Sequence, residues 1–170
     1  MKPKLKKQIA EFLKESNAIE GIFSPVALVD AQEAWDFALA NPNKFTIPWL
    51  LEIHRILLQR LDPEIAGKLR KQDVYIGGRT CKFLGTQKLK EDLETALERM
   101  QMTREKAESI GAYKTKYAKF CHVEYELLHP FLDGNGRTGR ILYNIQRLQL
   151  GLRIDVIYAQ ERQKYYKWFQ

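Results

Sequence analysis

Apolar side chains recur at helical spacing over most of the chain, and the pattern breaks wherever Pro, Gly and Asn cluster. The first periodic stretch predicts a helix from Pro3 to about Ile19, stopped by Gly21. The second runs from about Pro25 through Asp30 and Trp35 to Ala40, where Asn41-Pro42-Asn43 ends it. Thr46 is placed to cap a third helix, whose stripe is Leu50, Ile53, His54, Leu57 and Leu61 and which Asp62-Pro63 closes. From Asp73 to Phe83 the period changes: Val74, Ile76, Cys81 and Phe83 alternate with other residues around Gly77-Gly78, which predicts an exposed β-hairpin. A fourth helix follows from about Lys88 to Gln101. Thr103 begins the longest, with Ile110, Tyr113, Tyr117, Phe120, Cys121 and Leu128 at helical spacing up to His129, and this helix is expected to be surrounded on all sides. The next starts in Gly134-Asn135-Gly136 and ends at Gly151, with Ile141, Leu142, Ile145 and Leu148 as its core stripe, and a final segment begins at Ala159. The expected fold class is all-α, a compact bundle of about seven to eight helices with one short hairpin.

A chain of 170 residues buries one sizeable core, so a single globular domain is expected. Hydrophobic content of 45% with 29% charged residues excludes disorder, collagen-like repeats and a disulfide scaffold. The net charge of +7 implies anionic partners without choosing among nucleic acid, acidic protein, membrane and nucleotide. Cys81 and Cys121 form no CxxC pair, which fits two free thiols in a reducing compartment and argues against a metal-thiolate site. No apolar run approaches the ~20 residues that span a bilayer, so the expectation is a soluble, cytoplasmic protein with no membrane partner. Trp35, Trp49 and Trp168 read as packing residues, the early lysines as a solvated face, and His54 and His122 as hydrogen-bonded core or boundary histidines.

The chemistry concentrates between His129 and Arg140, in the run His129-Pro130-Phe131-Leu132-Asp133-Gly134-Asn135-Gly136-Arg137-Thr138-Gly139-Arg140. Gly134 and Gly136 permit the backbone conformations and close approach of an anion-binding turn. The helix that follows presents unpaired N–H groups and its positive dipole end at the same spot, so a phosphate belongs there. Arg137 and Arg140 project from one side of that helix, where their planar forks suit further phosphates of a chain. Asp133 is the natural carboxylate for Mg²⁺, which takes its remaining ligands from phosphate and water. The unperturbed pKa of a histidine lies close to physiological pH, so His129 is the candidate base that accepts a proton from an attacking hydroxyl. The Gly-Lys-Ser/Thr ending of a P-loop is absent, which disfavours a Walker-type ATPase.

The run resembles the signature of the Fic family, HPFx(D/E)GNGRxxR, and matches it at every specified position. The resemblance extends to Phe120, His122, Tyr125 and Leu128 in the helix leading into the motif. It takes in Arg70 to Phe83 as the family's flap hairpin, and Tyr165-Tyr166 in its last helix. It implies a Fic fold and an enzyme that transfers AMP from Mg²⁺-bound ATP to a Ser, Thr or Tyr hydroxyl of a target protein, releasing pyrophosphate. By resemblance His129 is the general base and Asp133 holds Mg²⁺. Gly134, Asn135 and Gly136 cradle the α-phosphate region, Arg137 and Arg140 orient the outer phosphates, and Tyr165 or Tyr166 lines the adenine pocket. The flap residues Val74, Tyr75, Ile76, Gly77 and Gly78 hold the target segment by strand-like backbone pairing.

Near the N-terminus, Ser16-Asn17-Ala18-Ile19-Glu20-Gly21 is similar to the (S/T)xxxE(G/N) inhibitory motif of one class of Fic proteins. Ser16 and Glu20 lie on one helix face. A carboxylate on Arg140 occupies the cation that the γ-phosphate needs, so ATP binds only unproductively. By resemblance Glu20 is that carboxylate and Ser16 supports it, making residues 1–24 an inhibitory region and 25–170 the catalytic core. Glu20 beside an AMP-protein would also position a water and remove AMP, an alternative that stays open. So does transfer of a different nucleotide part. A basic nucleic-acid-binding module ranks below these readings, as does an inert interaction protein; the oligomeric state is open between monomer and homo-oligomer.

Overall fold

The computed structural model describes residues 3–42, 44–76 and 79–169. Asn43, Gly77 and Gly78, named above, lie outside the described residues.

The chain forms α1 (Pro3–Ile19), α2 (Pro25–Ala40), α3 (Ile47–Leu58), the strands β1 (Val74–Ile76) and β2 (Arg79–Cys81), then α4 (Thr86–Met100), α5 (Arg104–Ile110), α6 (Lys114–Leu128), α7 (Asn135–Gln149) and the short α8 (Arg162–Tyr166). Helices one to three start for the expected local reasons, and the first two also stop for them. Gly21 takes φ +71° just past α1, Pro25 opens α2, and the Thr46 hydroxyl accepts from the Trp49 amide at the head of α3. The third stripe is shorter than expected: α3 ends at Leu58, and Leu61 lies beyond it, 40% exposed. Ala27, Ala31, Ala34 and Ala38 keep one face of α2 small, so that it lies along α3 with Trp35 filling the gap.

The expected longest helix is broken in two. Thr103 does cap a helix, its hydroxyl accepting from the Lys106 amide, but that helix is α5 and ends at Ile110. The apolar spacing carries across Gly111, yet this glycine takes φ +55°, which no right-handed helix continues through, and a short 3₁₀ turn (Gly111–Tyr113) leads into α6. Nor is α6 surrounded: it buries Ala118, Cys121, His122, Tyr125 and Glu126, while Tyr113 and Phe120 are exposed. The enclosed helix is α7, buried from Asn135 to Gln146 except at Gly136 and packed against α1, α2, α3 and α6. Its sequence hides this, because the buried positions include Arg137, Arg140, Asn144 and Gln146.

Leu50, Ile53, Leu57, Ile141, Leu142 and Ile145 join Ile9, Phe12 and Leu13 of α1 in one core, and Met102, Ala118, Tyr143 and Leu150 form a smaller cluster. The hairpin pairs antiparallel, with Val74 opposite Cys81 and Tyr75 opposite Thr80, and the Phe83 amide donates to the Asp73 carboxylate at its root. Among the described residues no helix is long and apolar enough to cross a membrane.

Candidate active site

At the end of α6 the chain turns sharply at His129, whose φ of 46° and ψ of 63° are left-handed, the single such non-glycine among the described residues. Pro130 disfavours the right-handed conformation for the residue before it, so the helix must end here. His129 Nδ1 lies 3.1 Å from the Glu126 carbonyl. A carbonyl only accepts, so Nδ1 carries the proton and Nε2 keeps its lone pair. Burial, helped by Arg70, lowers the proton affinity of His129, while the Glu126 carbonyl, Glu20 and Asp133 oppose the shift. The imidazole is therefore neutral at pH 7, the form a base needs.

Two clamps shape the loop that follows. Phe131 is fully buried and stacks on His54 at 3.7 Å between ring centroids. His54 Nδ1 accepts from the Gly67 amide and Nε2 donates to the Asp133 carbonyl, both at 2.9 Å. These bonds require one proton on the ring, and burial, pushing its pKa down to about 4, keeps it so. The Asn135 side chain closes the loop from the other side, accepting from the Phe131 amide and donating to the Phe131 carbonyl, each at 2.9 Å. Its amide is thus committed to the loop, and the cradle is left to backbone N–H groups. No side chain caps α7, so the amides of its first turn remain for an anion.

The two glycines of the cradle serve different ends. Gly134 has φ +75°, as a turn glycine should. Gly136 is helical; a Cβ on it would lie 2.4 Å from Glu20 Oε1 and 2.9 Å from Arg140 Nη1, so its value is close approach.

The two arginines also differ. Arg140 is 1% exposed and held through two of its nitrogens: Nε donates to Ser16 Oγ at 2.9 Å, and Nη2 donates to the Ser16 carbonyl at 2.9 Å and to Glu20 Oε1 at 2.6 Å. Its guanidinium also lies 5.6 Å from the centre of the Tyr165 ring. Arg137, equally buried, has Asp133 Oδ2 at 3.9 Å from Nη2, while Nε and Nη1 have no partner. Buried guanidinium N–H groups without acceptors are costly, and an anion relieves that cost. Asp133 accepts from the Gly134 amide through Oδ1, and its side chain is otherwise largely in solvent. Among the described residues no cluster of three or more His, Cys, Asp or Glu is assembled for a metal. A single solvent-facing carboxylate beside an anion cradle fits Mg²⁺ that arrives with phosphate and water ligands, and does not fit a closed protein cage.

Glu20, His129, Asp133, the Gly134-Asn135-Gly136 turn, Arg140, Tyr165 and Tyr166 line one cavity of about 610 Å³, whereas Arg137, expected on the same site, is buried and does not line it. Tyr75 reaches it from the hairpin and is mostly exposed, whereas Val74 turns its side chain into the body. Gln163, Phe169 and Glu126 also line it; they sit in no motif, and no pattern in the sequence marks them. Glu126 is 5% exposed with Oε1 unpartnered, and burial pushes its carboxyl up to about 8. His122 is buried and neutral, burial lowering its pKa to about 3, and shares a 2.8 Å hydrogen bond with the Tyr165 hydroxyl.

The chain is thus a helical bundle whose enclosed helix α7 opens its uncapped N-terminus on a cavity that a neutral histidine also lines. Residues 44–146 match the Fic/DOC family, and the chain belongs to it. Over 159 residues it is 33% identical to the protein adenylyltransferase Fic of Culex quinquefasciatus, covering 93% of this chain and 29% of that protein. The corresponding protein of Aedes aegypti is 32% identical over 159 residues, with 93% and 30% covered. The chain thus spans less than a third of the length of these curated relatives. Among solved structures, Fic-1 from C. elegans superposes with a TM-score of 0.74 at 19% identity, covering 98% of this chain and 57% of that one. A Fic domain containing signaling protein from Bacteroides thetaiotaomicron gives 0.76 at 19% identity, covering 98% and 74%. These likenesses show a Fic fold.

Proposed function

We propose that this protein is a protein adenylyltransferase, moving AMP from Mg²⁺-bound ATP to a Ser, Thr or Tyr hydroxyl of a target protein, and that Glu20 on Arg140 holds it silent. The observation that carries the reading is His129: neutral, with its proton on Nδ1 and a free Nε2, on the cavity that also holds the open N-terminus of α7. The names of the curated relatives support it.

In this reading the first-turn amides of α7 take the phosphates, and the buried Arg137 adds positive charge behind them. The acceptor hydroxyl attacks the α-phosphorus while its proton passes to His129 Nε2. The new oxygen–phosphorus bond forms as the bond to the bridging oxygen breaks, and pyrophosphate leaves with that electron pair. Asp133 is the residue that would hold Mg²⁺, which neutralises phosphate charge when bound. Tyr166 and Phe169 form the wall available to the base of the nucleotide. Arg140 is the contested group: Glu20 takes an N–H that an outer phosphate needs and sets a negative charge in its path. The motif arginines are buried, which argues against a surface for nucleic-acid backbone.

The test is incubation with Mg²⁺ and ATP labelled at the α-phosphate, comparing the native protein with Glu20→Gly and Glu20→Gly/His129→Ala. Label is expected on Glu20→Gly, little on the native protein and none on the double variant. Equal labelling of the native and Glu20→Gly proteins would remove the brake. Label loss from pre-modified protein in the presence of Glu20 would favour AMP removal instead.

A further inference from the structure

Arg70 precedes the hairpin and is 3% exposed, an unusual place for an arginine with no acidic partner in hydrogen-bond contact. Its backbone amide donates to the Pro130 carbonyl at 2.9 Å, and its side-chain bonds divide into two groups. Nε donates to the His129 carbonyl at 2.8 Å, and Nη2 reaches the Leu128 carbonyl at 3.4 Å. Nη1 donates to the Gln72 carbonyl at 2.8 Å, and Nη2 also reaches Cys81 Sγ at 3.2 Å and the Lys82 carbonyl at 3.3 Å. The first group is the end of α6 and the turn that carries the base; the second is both roots of the hairpin. One planar fork therefore spans two elements far apart in sequence. The carbonyls at the end of α6 are those a helix leaves unpaired, and a cation is favoured against them. The left-handed backbone at His129 persists only where its surroundings over-determine it, and Arg70 bonds the carbonyl of that residue. Besides the Arg70 backbone amide on Pro130, a parallel link among the described residues runs from Cys81 Sγ to the Leu127 and Leu128 carbonyls at 3.5 and 3.6 Å, a weak thiol contact.

We propose that Arg70 is a positioning residue that pins the flap hairpin and the His129 turn into one unit, so that a chain segment lying along the flap meets the base at a fixed place. The identity of the reaction rests on the adenylyl-transfer reading; the pin itself does not. Lysine is a poor substitute, since a single ammonium lacks the fork that serves both groups.

The experiment compares Glu20→Gly with Glu20→Gly/Arg70→Lys and Glu20→Gly/Arg70→Gln, reading amide exchange of the flap strands, Mg²⁺-ATP affinity by calorimetry, and self-labelling from α-labelled ATP. Flap amides at Val74 and Cys81 are expected to exchange about tenfold faster in both variants, because the hairpin then opens independently of the core. KM for ATP should stay within about twofold of Glu20→Gly while kcat for labelling falls about tenfold or more, the signature of a misplaced acceptor. The Lys variant carries the same readouts should the Gln variant fold poorly. Unchanged flap exchange overturns the pin, as does a loss of ATP affinity in step with kcat, which would mark a merely structural residue. No label from Glu20→Gly itself, with flap exchange accelerated in the Arg70 variants, sinks the reaction and leaves the pin standing.

Discussion

Single atoms decide much of this site. Gly139 falls at an unspecified position of the motif, yet a Cβ there would lie 2.1 Å from Glu126 Oε1 and 2.8 Å from the Tyr125 ring. Both neighbours are buried and α7 is enclosed, so neither gives way easily. Gly139→Ala is expected to cost about 1–3 kcal/mol, the usual range for overpacking, in a urea unfolding series. A change under about 0.5 kcal/mol would mean that α6 and α7 separate more readily than their packing implies. Gly136 illustrates the same point on the cavity side, where the absent Cβ makes room for the Glu20 carboxylate beside Arg140.

Between elements, the important contacts are made by helix ends and loops. The Ser16 carbonyl lies in the last turn of α1, where carbonyls have no partner within the helix, and Arg140 uses it together with the Ser16 hydroxyl. The latch on Arg140 is therefore a helix terminus as well as the Glu20 carboxylate, a feature the six-residue motif does not reveal. His54 works similarly for the loop after His129, joining Gly67 to Asp133 through a neutral ring. His54→Phe keeps a ring against Phe131 but strands a part-buried N–H and a carbonyl. It is expected to lower stability by about 2–3 kcal/mol and to weaken Mg²⁺-ATP binding in calorimetry. Full stability with normal binding would show that the stacking alone holds the loop.

For the whole molecule the clearest prediction concerns pH. A base acts in its neutral form, and the proton affinity of His129 is lowered by burial and by Arg70. The rate of Glu20→Gly should therefore be level through neutral pH and fall only as the His129 ring takes up a proton. The midpoint of that acid limb should lie below the ordinary histidine value of about 6.5. A rate still climbing steeply above about pH 7 would contradict a neutral base in the resting protein. The fold that sets this environment brings α6, α7, the flap and the C-terminal segment around one cavity, with α1 packed into the same core.

The sequence alone marked the three opening helices, the hairpin and the run from His129 to Arg140, because these depend on local rules: apolar period, capping, glycine and proline conformations, and a dense motif. It misjudged the helix before the motif, since apolar spacing continues through Gly111 while the backbone does not. It also took α6 for the enclosed helix, because the polar residues of α7 conceal a buried element, whose Arg140 finds its partners across the fold. Only the tertiary structure showed Arg140 on the Ser16 carbonyl, His54 under the loop, Arg70 between the hairpin and the His129 turn, and Gln163, Phe169 and Glu126 on the cavity wall. Each joins residues distant in sequence, and their partners are mostly backbone carbonyls and amides, which every residue carries and no pattern of side chains can announce.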